Sequence, residues 1–321
     1  MRSIVFSIQF LFFLFVCLVV GQTSAASTMF GVTIDDPWTQ QEEIRDALSS
    51  HTVRPTTRIV FDEHVAASEY REPVENIAAA SDVMGEILDS AYVADYTVQQ
   101  YLDRTTEYLD EFEGLVDIWE IGNEVNGDWL GSAEDVKAKI EGAYGLIHDR
   151  GQTTALNLYY NLPGVGADSE YEMFNWIEAY VTDEMKNGLD YVFFSYYEDD
   201  NNGVIYSQDE WQAVFDSLRA LFPNSKLGFG EIGTENADSK AEIMNRYYSL
   251  DIQGEYFVGG YFWWYYKQDC VPKTTELWTT LDTIVTESYN GANNPIPEPA
   301  TLVLLGTGLV GLAGICIRKK S

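Results

Sequence analysis

Along the chain, short runs of apolar, β-branched and aromatic residues alternate with longer amphipathic stretches. The short runs cover 29–34, 57–61, 83–88, 116–121, 154–158, 191–196, 226–232 and 259–265. Runs this short and this uniformly apolar fit strands buried on both faces. Helical spacing is clearest over 98–112, 133–149, 170–185, 208–222 and 239–250. Ser207 and Asp238 stand where helix starts belong, and Pro223 stops one helix. Successive strands begin about 26–38 residues apart, one βαβ step each time. Eight such steps match the size of a (β/α)8 TIM barrel, an α/β fold with one core. An open doubly wound sheet would carry a glycine-rich phosphate turn after its first strand; Asp35-Asp36-Pro37 stands there instead.

Two of the strands end in a carboxylate. The fourth runs through Ile121-Gly122 into Asn123-Glu124, and the seventh closes on Gly230-Glu231-Ile232-Gly233. In a TIM barrel the C-terminal strand ends form the active face. Strands four and seven lie across its mouth, so the two side chains can converge. A carboxylate pair is the equipment of glycosidic bond hydrolysis: one acid protonates the departing oxygen, and one carboxylate attacks the anomeric carbon. Their environments must push the two pKa values apart.

An Asn-Glu pair closing strand four, with a lone Glu closing strand seven, is similar to clan A of the retaining glycoside hydrolases. The resemblance implies double displacement at β-glycosidic bonds of a poly- or oligosaccharide. It makes Glu124 the acid/base and Glu231 the nucleophile, and has Asn123 hydrogen-bond the sugar 2-hydroxyl. Arg58 on strand two resembles the clan's arginine that holds the nucleophile ionised; a structural ion pair low in the barrel is the alternative. Tyr196 and Tyr197 end strand six, where many clan members carry His-x-Tyr. Ser195 replaces that histidine, so either tyrosine fits the role of nucleophile partner. Of Trp263 and Trp264 at the end of strand eight, one is expected to face the cleft beneath a sugar. Trp38, Trp129, Tyr159 and Tyr160, just past strand ends, are either sugar platforms or packing residues. Glu198 and Glu235 compete with Glu231 for its role, and Glu120, on the strand itself, is structural.

Composition narrows the partners. The chain has 51 acidic against 19 basic residues, a formal charge of −32. That excludes a nucleic-acid binder, which needs clustered cations. It also favours a neutral polysaccharide over a polyanionic one. Away from the apolar ends only Cys270 remains of three cysteines, so no disulfide or cysteine-based metal site is expected there. The acidic loop 198–203 approximates a calcium loop but begins with Glu and follows a strand, and it reads as a solvated loop beside the cleft. No metal or cofactor is implied.

The two ends read as processing signals. Residues 1–26 combine Arg2, an apolar run and small residues at a cleavage site, a secretory signal peptide. At the other end Pro297-Glu298-Pro299 precedes an apolar run over 300–317 and the basic Arg318-Lys319-Lys320. This three-part order is similar to the PEP-CTERM sorting signal of Gram-negative bacteria. The resemblance implies export, membrane anchoring through 300–317 before processing, and cleavage by an exosortase; a plain membrane anchor is the alternative. The expected division is therefore 1–26 signal peptide, 27–292 barrel and 293–321 sorting signal. A barrel that binds envelope polysaccharide without cleaving it is the second functional reading.

Overall fold

A computed structural model describes residues 29–161 and 170–293, the last four by backbone only. The expected signal peptide and the 300–317 helix lie outside those residues. Among the described residues no helix is long and apolar enough to cross a membrane.

All eight apolar runs form strands: β1 (Met29–Ile34), β2 (Thr56–Val60), β3 (Asp82–Glu86), β4 (Ile118–Glu120), β5 (Thr153–Tyr159), β6 (Tyr191–Ser195), β7 (Lys226–Glu231) and β8 (Phe257–Trp263). Each pairs in parallel with the next, and β8 pairs back onto β1, closing the expected barrel. Outside the strands lie α1 (Gln41–Ser49), α2 (Arg71–Ala78), α3 (Val98–Glu111), α4 (Ala133–His148), α5 (Met173–Tyr180), α6 (Asp183–Gly188), α7 (Gln208–Leu221), α8 (Lys240–Tyr248), α9 (Tyr266–Cys270) and α10 (Glu276–Asn293).

Local chemistry sets the helix ends. Thr97 with Gln100 and Ser207 with Glu210 form capping boxes that satisfy the first free amides of α3 and α7. Two expectations need correction. The single helix over 170–185 is two helices: Val181 is extended, and the Thr182 hydroxyl caps the Met185 amide to start α6. The start of α8 is Ser239 rather than Asp238, whose amide donates to the Asn236 side chain in the preceding turn.

The strand pleat divides the barrel interior into two storeys. Met84, Ile118, Ala155, Phe193, Val258 and Phe262 make a buried apolar cluster separate from the main core. This is the floor. Two residues further along β3, β4, β5 and β6, on the same face, stand Glu86, Glu120, Asn157 and Ser195. The interior is therefore apolar below and polar above, all of it sealed from water. The main core fills the layer between strands and helices, including Trp119, Trp176, Trp211 and Trp263. On β7, Gly228 and Gly230 leave room for this interior. A Cβ on Gly230 would lie 2.0 Å from Asn157 Oδ1, and one on Gly228 would lie 2.4 Å from the Gly259 carbonyl of β8.

The backbone clash at Gly228 cannot be relieved by a side-chain rotation. Gly228→Ala is therefore expected to destabilise the barrel by about 1–3 kcal/mol, read as a lower urea midpoint. An unchanged midpoint would mean that β7 and β8 can part freely.

Candidate active site

The strand ends carry the chemistry to the mouth. After β4 the chain must turn sharply, and Glu124 takes a left-handed backbone conformation with φ of 48°. Such a conformation is uncommon for a residue with a Cβ and is kept only where the surroundings impose it. Here the Gly127 amide donates to the Glu124 carbonyl at 2.7 Å, and the Val125 amide donates to the Asn157 carbonyl at 3.2 Å. The result turns the Glu124 side chain into the cleft.

Glu231, on the last residue of β7, lines the same cleft, whose volume is about 600 Å³. Its two oxygens are held differently from those of Glu124. The Arg58 guanidinium donates to Oε1, and the Tyr197 hydroxyl donates to Oε2 at 2.7 Å. These are the partners an anionic carboxylate takes. Arg58 also grips Glu120 with two bonds of 2.7 Å each and lies 3.0 Å from Glu86. It thus pairs with Glu231 at the cleft and with Glu120 and Glu86 in the interior, so the geometry joins the two alternatives weighed from sequence. Glu120 is buried beneath the cleft and is not part of its wall.

One guanidinium here faces three carboxylates with almost no exposure. Surplus buried charge is costly, so protons remain. Burial, only partly opposed by Arg58, pushes the Glu120 carboxyl up to about 7 and that of Glu86 well above its usual range. Enclosure at the cleft base and then the charge of Glu231 push Glu124 well above that range too, against the pull of a 3.0 Å hydrogen bond from Ser90. The Tyr197 hydroxyl is likewise raised by burial and by Glu231.

Asn123 lines the cleft beside Glu124, its Oδ1 accepting from Asn157 Nδ2 at 2.8 Å. Tyr197 and Trp264 line it; Tyr196 and Trp263 do not. Tyr196 turns outward to donate to the Val204 carbonyl at 2.8 Å and packs on Trp211. Trp263 is fully buried, its Nε1 donating to Asp269 at 2.8 Å. Among the other aromatics, Trp129 and Tyr159 are on the cleft wall. Tyr160 is buried against Phe194 and Trp211, and Trp38 lies on Tyr70 away from the cleft. Glu198 is drawn off by Arg246 and Tyr247, while Glu235 does line the cleft.

The acidic loop does not converge on a point: Asp199 accepts from Thr234 at 2.6 Å, and Asp200 faces the cleft near the Tyr159 hydroxyl. Among the described residues no group of three or more His, Cys, Asp or Glu is placed to hold a metal ion.

Sequence reasoning missed Asp89, Ser90, Thr234 and Tyr265 on the wall, and Glu86 and Asn157 beneath it. Asp89-Ser90 had a readable signal. The pair follows the apolar run of strand three just as Asn123-Glu124 follows that of strand four.

Comparison with known proteins adds two findings. Residues 295–320 match the PEP-CTERM protein-sorting motif. The tail carries that motif. It is a sorting signal for export to the cell envelope in Gram-negative bacteria. The barrel resembles Saccharomyces cerevisiae Gas2p in complex with laminaritriose and laminaritetraose, at 14% identity and a TM-score of 0.53, over 82% of this chain and 65% of that one. It also resembles the GH1 β-glucosidase from Exiguobacterium antarcticum, at 12% identity and a TM-score of 0.53, over 78% of this chain and 86% of that one. What is shared at this identity is the fold. The comparison with curated protein sequences found no match.

The buried carboxylates make stability fall with pH. Glutamates of the unfolded chain titrate near about 4.3, whereas Glu120 in the barrel is pushed up to about 7. The folded state therefore binds more protons between those values. Its advantage is full below the lower one and is lost as pH rises through the upper one. The urea midpoint is expected to drop across that window. Glu86→Gln, neutral at every pH, should make the drop shallower. A midpoint that climbs across the window would contradict the buried protons.

Proposed function

We propose that this protein is an exported retaining glycosidase that hydrolyses β-glycosidic bonds of a neutral poly- or oligosaccharide. The observation that carries the reading is the contrast between two carboxyls on one cleft. Glu231 is gripped by a guanidinium and a phenol, and Glu124 is pushed toward its protonated form. That contrast is what a nucleophile and an acid need.

In the first step a Glu231 oxygen attacks the anomeric carbon while Glu124 gives its proton to the glycosidic oxygen, and the bond to the leaving sugar breaks. The product is a glycosyl ester on Glu231 and an anionic Glu124. In the second step Glu124 takes a proton from water, the hydroxide adds to the same carbon, and Glu231 leaves as a carboxylate. Asn123, whose Oδ1 is engaged by Asn157, offers its amide N–H to the sugar 2-hydroxyl. Tyr197 holds Glu231 in line. Trp264, Trp129 and Tyr159 supply flat apolar faces for the rings.

The cleft wall carries six carboxylates and no Lys, Arg or His among the described residues. A sulfated or uronic polymer is repelled there, which supports a neutral substrate. The shared fold with Gas2p and the GH1 β-glucosidase supports a glycosidase. A signal peptide over 1–26 takes the barrel across the inner membrane, and a transient anchor over 300–317 holds it there. An exosortase acting near Pro297-Glu298-Pro299 then frees it at the envelope.

The test is a panel of defined β-glucan and β-mannan oligosaccharides with the wild type, Glu124→Gln and Glu231→Gln. Each variant is expected to lose about 10²–10⁴-fold in kcat or more, and the product of the wild type keeps the anomeric configuration. Equal turnover by all three proteins would overturn the assignment. Binding without turnover by the wild type would leave the polysaccharide-binding barrel as the better reading. Because Glu124 must start protonated, kcat/KM on oligosaccharides should decline on the alkaline side. That limb should lie above the ordinary carboxylate range; a limb within it would contradict the raised Glu124.

A further inference from the structure

Ser90 stands at a junction the chemistry above does not use. It opens the turn Ser90–Asp95 after β3, where the Asp89 carboxylate caps the Ala91 amide at 2.7 Å. Ser90 is 5% exposed. Its Oγ lies 3.0 Å from Glu124 Oε2 and 3.2 Å from Trp129 Nε1. Trp129 sits in the turn Asp128–Leu130 after β4, its ring edge-on to Tyr159 and 42% exposed on the cleft wall. The ring thus meets the cleft while its N–H is spent inside the wall.

The donor inventory fixes the direction of these bonds. An indole N–H only donates, so Ser90 Oγ accepts from Trp129. The serine hydrogen then needs an acceptor, and Glu124 Oε2 is the one among the described residues within reach. The reverse arrangement, with Glu124 donating to Ser90, would leave that hydroxyl hydrogen buried and unpaired.

Resting on the reading of Glu124 as the acid, we propose that Ser90, oriented by Trp129, is a positioning residue that decides which oxygen of Glu124 carries the transferable proton. With Oε2 occupied by the serine hydroxyl, the proton of the neutral carboxyl sits on Oε1. It passes from Oε1 to the glycosidic oxygen as the bond to the anomeric carbon breaks. The serine hydrogen stays where it is and stabilises the anion that remains. The wall residue and the acid are thereby joined: the ring that lines the sugar site also orients the group that protonates the sugar's leaving oxygen.

The experiment varies the leaving group. A series of aryl β-glycosides runs from dinitrophenyl, which departs without a proton, to phenyl, which needs one. The wild type, Ser90→Ala, Ser90→Thr, Trp129→Phe and Glu124→Gln are compared. Ser90→Ala should lose about tenfold in kcat on the phenyl glycoside and little on the dinitrophenyl one. Its alkaline limb should move to higher pH, because a bond that favours the anion is gone. Ser90→Thr should restore both, and Trp129→Phe should show a weaker form of the same selectivity. A uniform loss over all leaving groups, or a change in KM alone, would overturn the positioning role of Ser90. If Glu124→Gln shows the leaving-group dependence and Ser90→Ala does not, the positioning role fails and the acid assignment stands. If Glu124→Gln shows none, the acid assignment itself fails.

Discussion

The barrel depends on how one buried guanidinium shares itself. Arg58 reaches Glu120 with two bonds, Glu231 with a third and Glu86 at ion-pair distance, all of them buried. An arginine is suited to this because its donors form a rigid fork and it keeps its charge. Glu86, Glu120 and Arg58 come from three neighbouring strands, and Glu231 comes from across the barrel. The cluster therefore ties opposite walls together at the level where the cleft begins. Its cost in buried charge is lowered by retained protons rather than by a second cation, while Glu124 above it is pushed upward by its own burial and by the charge of Glu231.

Much of this was legible from sequence because buried parallel strands announce themselves. Eight apolar runs at βαβ spacing left one closed architecture, and two glutamates just past such runs had one place to go. The interior storey was half visible. Glu120 stood out as a charge inside an apolar run, yet Glu86, in the same position on β3, was passed over.

What was not legible lies where regular geometry stops. Ser195 is the last residue of β6, and past it the chain keeps the pleat, with Ser195 and Tyr197 facing inward and Tyr196 outward. The end of the strand hid that continuation, which a loop carbonyl secures, that of Val204 taking the Tyr196 hydroxyl. Likewise Trp263 is claimed by Asp269 of α9, leaving Trp264 for the cleft. Ser90 and Trp129 meet across 39 positions of sequence, and nothing local to either foretells it. The break between α5 and α6 is similar: the apolar spacing runs through it, and a Thr182 cap outweighs the pattern.

The apolar floor has a consequence of its own. Met84, Ile118, Ala155, Phe193, Val258 and Phe262 offer no chain of hydrogen-bonding groups along which a proton could travel. The acids above them therefore exchange with bulk water by way of the open mouth. The interior is thus a flask with a single neck, and whatever occupies the cleft sets how fast its buried carboxyls trade protons with solution.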